Sequence, residues 1–239
     1  MITAALPVYA SEIAWLAMES LCRQKTNVKW ELIIYEDEQY PLGENFYRQY
    51  QSRLHDVGCN TLLYKYSPER IPLSYKWREI SLMANKSSLG ILLQAADNYS
   101  EPNRIQMAHE KLSQGYDWIY SPKVLFYSTQ KKKIILYDLQ DTGIGSDMAI
   151  KKELAQQLPK EIKWQSVDSW VFENLLKIKP SAKIFQDTTD GWMNGLATDG
   201  KNRISLQRKK QFDNPMPPFY PTKLKANIPA EIWERLKAY

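Results

Sequence analysis

Residues 2–38 read ITAALPVYASEIAWLAMESLCRQKTNVKWELIIYEDE, and this stretch decides the fold class. The run Ile2 to Tyr9 is apolar and reads as a buried strand. Ser11 suits the N-cap of a helix reaching about Gln24, with Ile13, Leu16, Ala17 and Leu21 on one face. Trp30 to Asp37 (WELIIYED) is a second strand, apolar until it ends in acids. A strand, a helix and a strand in that order predict a right-handed βαβ unit with parallel pairing.

The alternation continues outward. Glu44 to Val57 is an amphipathic helix with Gly58 as its C-cap, and Asn60 to Tyr66 is a third strand. A helix over about Tyr75 to Ser88 precedes Gly90 and a strand Ile91 to Ala96. The next helix begins near Pro102, and Tyr116 to Tyr120 is a strand. Lys123 to Leu139 reads as a hairpin across Gln130-Lys131-Lys132, which brings in antiparallel pairing. Helices are expected at about Asp147 to Leu158 and Asp168 to Lys177. Phe212 to Pro221 is proline-rich and extended, and a short helix starts at Pro229. The expected fold is α/β, a mixed sheet sandwiched by helices.

Composition removes several enzyme classes. The 239 residues are enough for a sizeable core without a staple. Cys22 and Cys59 make neither a disulfide framework nor a zinc site, and His55 and His109 leave little for a histidine-rich metal centre. With 9 Gly and no G-x-G-x-x-G or G-x-x-x-x-G-K-[ST], no loop is built to cradle phosphates. No run of apolar residues is long enough to span a membrane. The opening MITAALPVYAS lacks a basic n-region, so a reduced, cytoplasmic setting is expected.

In open α/β sheets ligands bind beyond the carboxyl ends of the strands. Three such ends carry polar residues: Pro7-Val8-Tyr9-Ala10-Ser11, Glu36-Asp37-Glu38 and Asp97-Asn98. Carboxylates there accept hydrogen bonds from a base or sugar, or bind a hard cation through oxygen. The same acids serve equally as helix caps or loop residues, and both readings stay open. Lys76 and Arg78 either reach a diphosphate or lie on a solvated helix face.

The stretch 2–38 resembles the start of glycosyltransferase family 2 domains. In that family a strand ends in Pro-x-Tyr/Phe-Asn, a helix ends in Ser-Leu-x-x-Gln and the next strand ends in Asp-Asp. The matching residues are Pro7, Tyr9, Ser20-Leu21-Cys22-Arg23-Gln24 and Glu36-Asp37. Gly90 to Asn98, followed by Pro102 and Arg104, resembles the family's Gly…Asp-x-Asp-Asp…Pro-x-Arg passage. Val167-Asp168-Ser169-Trp170 falls where the family carries Glu-Asp at a helix start. The resemblance covers about residues 1–180.

The resemblance implies a GT-A-like fold and transfer of a sugar from a nucleotide diphosphate donor to an acceptor hydroxyl. It implies a nucleotide-binding half over about 1–100 and an acceptor half over about 101–204, while 205–239 reads from its own composition as a basic, proline-rich extension ending in a short helix. Carried over, Pro7, Tyr9 and Asp37 would line the donor nucleotide site; Glu36 beside Asp37 and Arg78 in the helix before Gly90 are added to that site from their positions. Asp97 would hold a divalent cation, manganese or magnesium, and Asp168 would be the base of an inverting reaction. Asp168 is also well placed as an N-cap.

The departures concern the metal. Ala95 stands where the family has the first acid of Asp-x-Asp, and Asn98, Ala10 and Val167 replace further motif residues. Asp199 is a candidate second ligand, and Trp192 and Asn194 are candidates for stacking on and hydrogen-bonding an acceptor. The losses at 95 and 167 also fit a non-catalytic module that binds nucleotide or sugar.

The formal charge of +5 is unevenly spread. From Lys201 on there are nine Lys/Arg and three acids, a net +6, against 23 bases and 24 acids before it. A glycan acceptor follows from the resemblance. The Arg208-Lys209-Lys210 cluster with Phe212, Phe219 and Tyr220 also suits DNA carrying a hydroxylated base, or peripheral contact with an anionic membrane. A solvated tail explains the same residues.

Overall fold

Strands β1 (Ile2–Val8) and β2 (Trp30–Asp37) pair in parallel, from Ile2 opposite Trp30 to Val8 opposite Glu36. The helix between them, α1 (Ala14–Leu21), makes this the βαβ unit expected from the opening stretch. The structure is a computed structural model that describes residues 1–9, 12–37, 40–128, 133–138, 148–161, 167–187 and 228–238. The expected N-cap Ser11 and the loop 130–132 lie outside these residues.

The chain continues through α2 (Glu44–Arg48), α3 (Gln51–Asp56), β3 (Cys59–Ser67), α4 (Leu73–Met83), β4 (Gly90–Leu93), α5 (Arg104–Ser113) and β5 (Trp118–Tyr120). The hairpin β6 (Lys123–Ser128) and β7 (Lys133–Asp138) forms a separate antiparallel ribbon. Then come β8 (Ala149–Lys151), α6 (Lys152–Ala155), α7 (Val167–Ile178), β9 (Ile184–Gln186) and α8 (Ala230–Lys237). The main sheet has the order β3-β2-β1-β4-β8-β5-β9, with β8 antiparallel to both its neighbours.

Strand alternation sorts the core into two layers. Ile2, Ala4, Leu6 and Val8 of β1, Trp30, Leu32 and Ile34 of β2, and Leu92 of β4 pack with α1, α2, α3 and α5. Ala5, Ile33, Tyr35, Ile91 and Leu93 face the other way, onto α4, α6 and α7. Both faces are covered, which is why these strands read as continuous apolar runs.

Two glycines are required by geometry. Gly58 has φ +86°, so the chain turns into β3 through a conformation that side chains resist. At Gly90 a Cβ would lie 2.5 Å from Leu112 Cδ1 and 2.7 Å from the Ile150 carbonyl, so β4 and β8 meet only with no side chain there.

Three expectations change. The helix expected from Asp147 is instead β8 followed by the short α6, because Ala149 and Ile150 fill the middle of the sheet between β4 and β5. A short buried apolar run has no period to tell strand from helix. The helix expected over Glu44 to Val57 breaks at Gln49-Tyr50, where Tyr50 N–H bonds the Tyr47 carbonyl (3.1 Å), although Tyr47, Tyr50 and Leu54 stay buried on one face. Strand β9 was not anticipated and extends the sheet beside β5.

Candidate functional site

The strand order reverses between β1 and β4: the chain leaves β1 to β2 on one side and returns to β4 on the other. A crevice at the carboxyl ends follows from such a switch point. Four groups of residues converge on this edge.

The first lies at the end of β1. Pro7 is opposite Tyr35 in register, and beyond Ala5 the strand has no β4 partner. The Ala5 carbonyl bonds Gln94 N–H on the β4 side, and Pro7 points its backbone the same way, so its missing N–H costs no ladder bond. Tyr9 follows, 47% exposed, with the Arg70 guanidinium 4.4 Å from its ring centroid.

The second lies at the end of β2, where Glu36 and Asp37 are wholly buried and have different partners. Glu36 accepts from Leu42 N–H (2.9 Å), Gly43 N–H (3.1 Å), Tyr47 Oη (3.2 Å) and Tyr64 Oη (2.8 Å). A carboxylate has about four acceptor positions, so all of Glu36's are taken within the protein and none is left for a bound nucleotide. Glu36 ties down the loop after β2, and it helps burial hold the Tyr64 hydroxyl above its usual pKa.

Asp37 accepts from Ile71 N–H and is ion-paired with Lys76, whose Nζ also donates to the Val8 carbonyl (2.8 Å). Lys76 is 3% exposed, not on a solvated face. Burial lowers its pKa, against the opposing pull of Asp37. The first turn of α4 is thereby bolted to the ends of β1 and β2. Arg78, two residues further on, lies on another face of α4 and donates to the Gln156 carbonyl (3.1 Å).

The third is the loop after β4. Gln94 Nε2 donates to the carbonyls of Ala95 and Asn98 (both 2.9 Å), so one side chain folds the turn that carries Asp97. Below it Arg104, fully buried, donates to Gln94 Oε1 (2.8 Å), Ser100 Oγ (2.9 Å) and the Leu93 carbonyl (2.6 Å). Asp97 itself is partly exposed at the crevice. Gln94 and Arg104 organise this loop; the motif placed Arg104 nearby without assigning it that task.

The fourth is the start of α7, where Asp168 is the second residue; the structure describes its backbone and not its side chain. Helix α7 leads into β9, which runs parallel to β5, so α7 crosses back over the sheet and starts at the carboxyl edge. The far end confirms the direction: Lys179, just past α7, bonds Asp117 at the amino end of β5 (2.8 Å). Asp168 is thus on the same edge as Asp37 and Asp97. Trp192, Asn194 and Asp199, and the basic segment 205–227, lie outside the described residues.

Solved structures similar in fold to this chain include glycosyltransferases. TarS from S. aureus aligns over 90% of this chain and 40% of its own, with a TM-score of 0.58 and 11% identity. TarS 1–349 in complex with UDP aligns over 83% of this chain and 60% of its own, with a TM-score of 0.57 and 12% identity. The mannosyltransferase PcManGT from Pyrobaculum calidifontis, in complex with GDP-Man and Mn2+, aligns over 92% and 67%, with a TM-score of 0.61 and 14% identity. The chain has a GT-A-like fold.

The likeness is one of fold, and the chain spans less than half of the longer TarS chain. No protein-family model matches the sequence, and no curated protein does. Among the described residues of this GT-A-like domain, no group of three or more His, Cys, Asp or Glu is disposed to hold a metal ion. The turn 94–98 after β4 offers a cation the carboxylate of Asp97, since Gln94 is spent on the turn and position 95 is alanine. Such a set fits magnesium or manganese only with donor phosphates and water completing the shell. No described helix is long and apolar enough to cross a membrane.

Proposed function

We propose that this protein transfers a sugar from a nucleotide diphosphate donor to an acceptor hydroxyl of a glycan. The observation that carries the reading is the gathering of Tyr9, the Asp37–Lys76 pair, the Asp97 loop and the start of α7 on one edge of a GT-A-like sheet. Pro7 and Tyr9 line the nucleoside side of the crevice, with Asp37 and Lys76 enclosed directly behind them. The Arg70 guanidinium supports the exposed Tyr9 ring for stacking on a base.

Asp97 faces the diphosphate. Asp97 would hold a divalent cation together with the donor phosphates, and the cation would supply charge neutralisation on the leaving group. Asp168 is the base. Its carboxylate takes the proton of the acceptor hydroxyl as that oxygen bonds the anomeric carbon and the bond to the diphosphate breaks, which inverts the configuration.

Asp168→Asn tests this directly. Transfer should fall by about 10²–10⁴-fold while UDP or GDP still raises the melting temperature as in the wild type. Unchanged turnover would make Asp168 a helix cap. A second reading, a non-catalytic module, is motivated by Ala95. It predicts stabilisation by a nucleotide sugar with no nucleotide released, with or without manganese.

A further inference from the structure

The terminal helix α8 packs against both loops that leave the switch point. Ile232 and Leu236, one turn apart, are buried with Ile228 in one cluster with Ile13, Trp15, Leu16 and Tyr99. Ile13 closes the connection that begins at Tyr9, and Tyr99 lies two residues beyond Asp97. Charged contacts set the docking: Arg23 Nη2 lies 2.6 Å from Glu231, and the Arg235 guanidinium lies 3.8 Å from the Trp15 ring centroid. Glu231 in the first turn and Arg235 and Lys237 in the last also favour the helix through its dipole.

Tyr99 is 2% exposed, and its sequence neighbours are held from inside the sheet. Gln94 bonds the Asn98 carbonyl, and Arg104 bonds Ser100 Oγ. The Asp97 loop is therefore gripped between Arg104 beneath it and α8 beside it. A loop with few buried contacts opens locally at little cost, and each grip raises that cost.

We propose that α8 is a positioning element for this loop, with Ile232 and Leu236 acting through Tyr99 on the placement of Asp97. What Asp97 then meets, a donor diphosphate, rests on the reading above; the mechanical link does not. Residues preorganised by a packed shell hold a site more closely than residues on an unsupported loop.

Amide hydrogen exchange tests the link without assuming an activity. The comparison is between Ile232→Ala and Leu175→Ala, the latter a buried leucine of α7 in the opposite layer. Ile232→Ala should speed exchange over residues 95–100 by about tenfold or more, and Leu175→Ala should leave that loop near wild type. Equal acceleration in both variants, or none in Ile232→Ala, overturns the proposal. If Ile232→Ala does not fold, Ile232→Val against Leu175→Val makes the same comparison. In the transferase reading the donor KM also rises, about fivefold, in Ile232→Ala but not in Leu175→Ala. A wild type that neither binds UDP or GDP nor uses their sugars sinks that reading, while the exchange result still decides the link.

Discussion

Two buried aspartates, Asp37 and Asp117, anchor opposite ends of the same sheet, and they are built differently. Asp37, at the carboxyl edge, is wholly enclosed with a lysine that is itself enclosed. Asp117, just before β5 at the amino edge, meets Lys151 (3.0 Å), Lys179 (2.8 Å) and Lys183 N–H (2.9 Å), but both lysines keep a quarter to a third of their side chains in water. The amino-edge cluster staples β5, β8 and the α7–β9 turn at modest desolvation cost. The carboxyl-edge pair takes both charges out of water, an expensive way to gain stability alone. In the proposed transferase the pair also lies beside the nucleotide site, which would account for the difference.

The largest effect expected from breaking the comparison is at Lys76. Lys76→Met leaves Asp37 buried without its cation and should cost about 3–5 kcal/mol. For a chain of this size that lowers the melting temperature by roughly 6–20 °C. The double variant Lys76→Met/Asp37→Asn keeps an acceptor for Ile71 N–H and should recover to within about 1–2 kcal/mol of wild type. It should nonetheless lose stabilisation by UDP or GDP. A double variant that is recovered and still stabilised by nucleotide would make the pair purely structural.

Much of this edge was legible in the sequence because the strands are apolar until they reach it. The β2 boundaries at Trp30 and Asp37 follow from the acids that end the run, and Pro229 marks the start of α8. Partnership was not legible. Glu36 and Asp37 are adjacent and alike, yet one is saturated by Tyr47, Tyr64 and a loop while the other pairs with Lys76. Which donors arrive depends on residues 6 to 39 positions away. Lys76 reads as solvated because amphipathic periodicity registers residue type and not the strand ends over which a helix start will sit. β8 was lost for another reason: three residues carry too little pattern to oppose a helical neighbour.

A smaller effect belongs to Asp117. Burial alone would raise its pKa, but Lys179, the Lys183 N–H and Lys151 outweigh it and hold the carboxyl below its ordinary 3.8. A carboxyl lowered on folding contributes stability fully above the unfolded pKa and loses it as pH falls through the folded one. Asp117→Asn should therefore cost about 1–2 kcal/mol at neutral pH, discounted for the partly solvated lysines. The gap between variant and wild type should stay constant above about pH 5 and close below about pH 4. Nucleotide-dependent stabilisation should be untouched, in contrast to the Lys76 variants. Urea unfolding across that pH range measures both points, and a gap that widens in acid would refute the assignment.

The smallest effect extends the series to a pair in water. Arg48 donates to Glu44 Oε1 from Nε (3.0 Å) and Nη2 (2.7 Å) within α2, with nearly half of each side chain exposed. Solvent screening leaves such a pair little to contribute, so Glu44→Gln should cost about 0.3–0.5 kcal/mol, a melting shift of roughly 1–2 °C. Salt at about 1 M should erase most of it, because the Debye length then falls to about 3 Å. The Lys76 penalty should survive the same salt, since its ammonium is enclosed between α4 and the ends of β1 and β2. If salt rescues both variants alike, Lys76 is solvated after all, and the contrast between the two ends of the sheet fails with it.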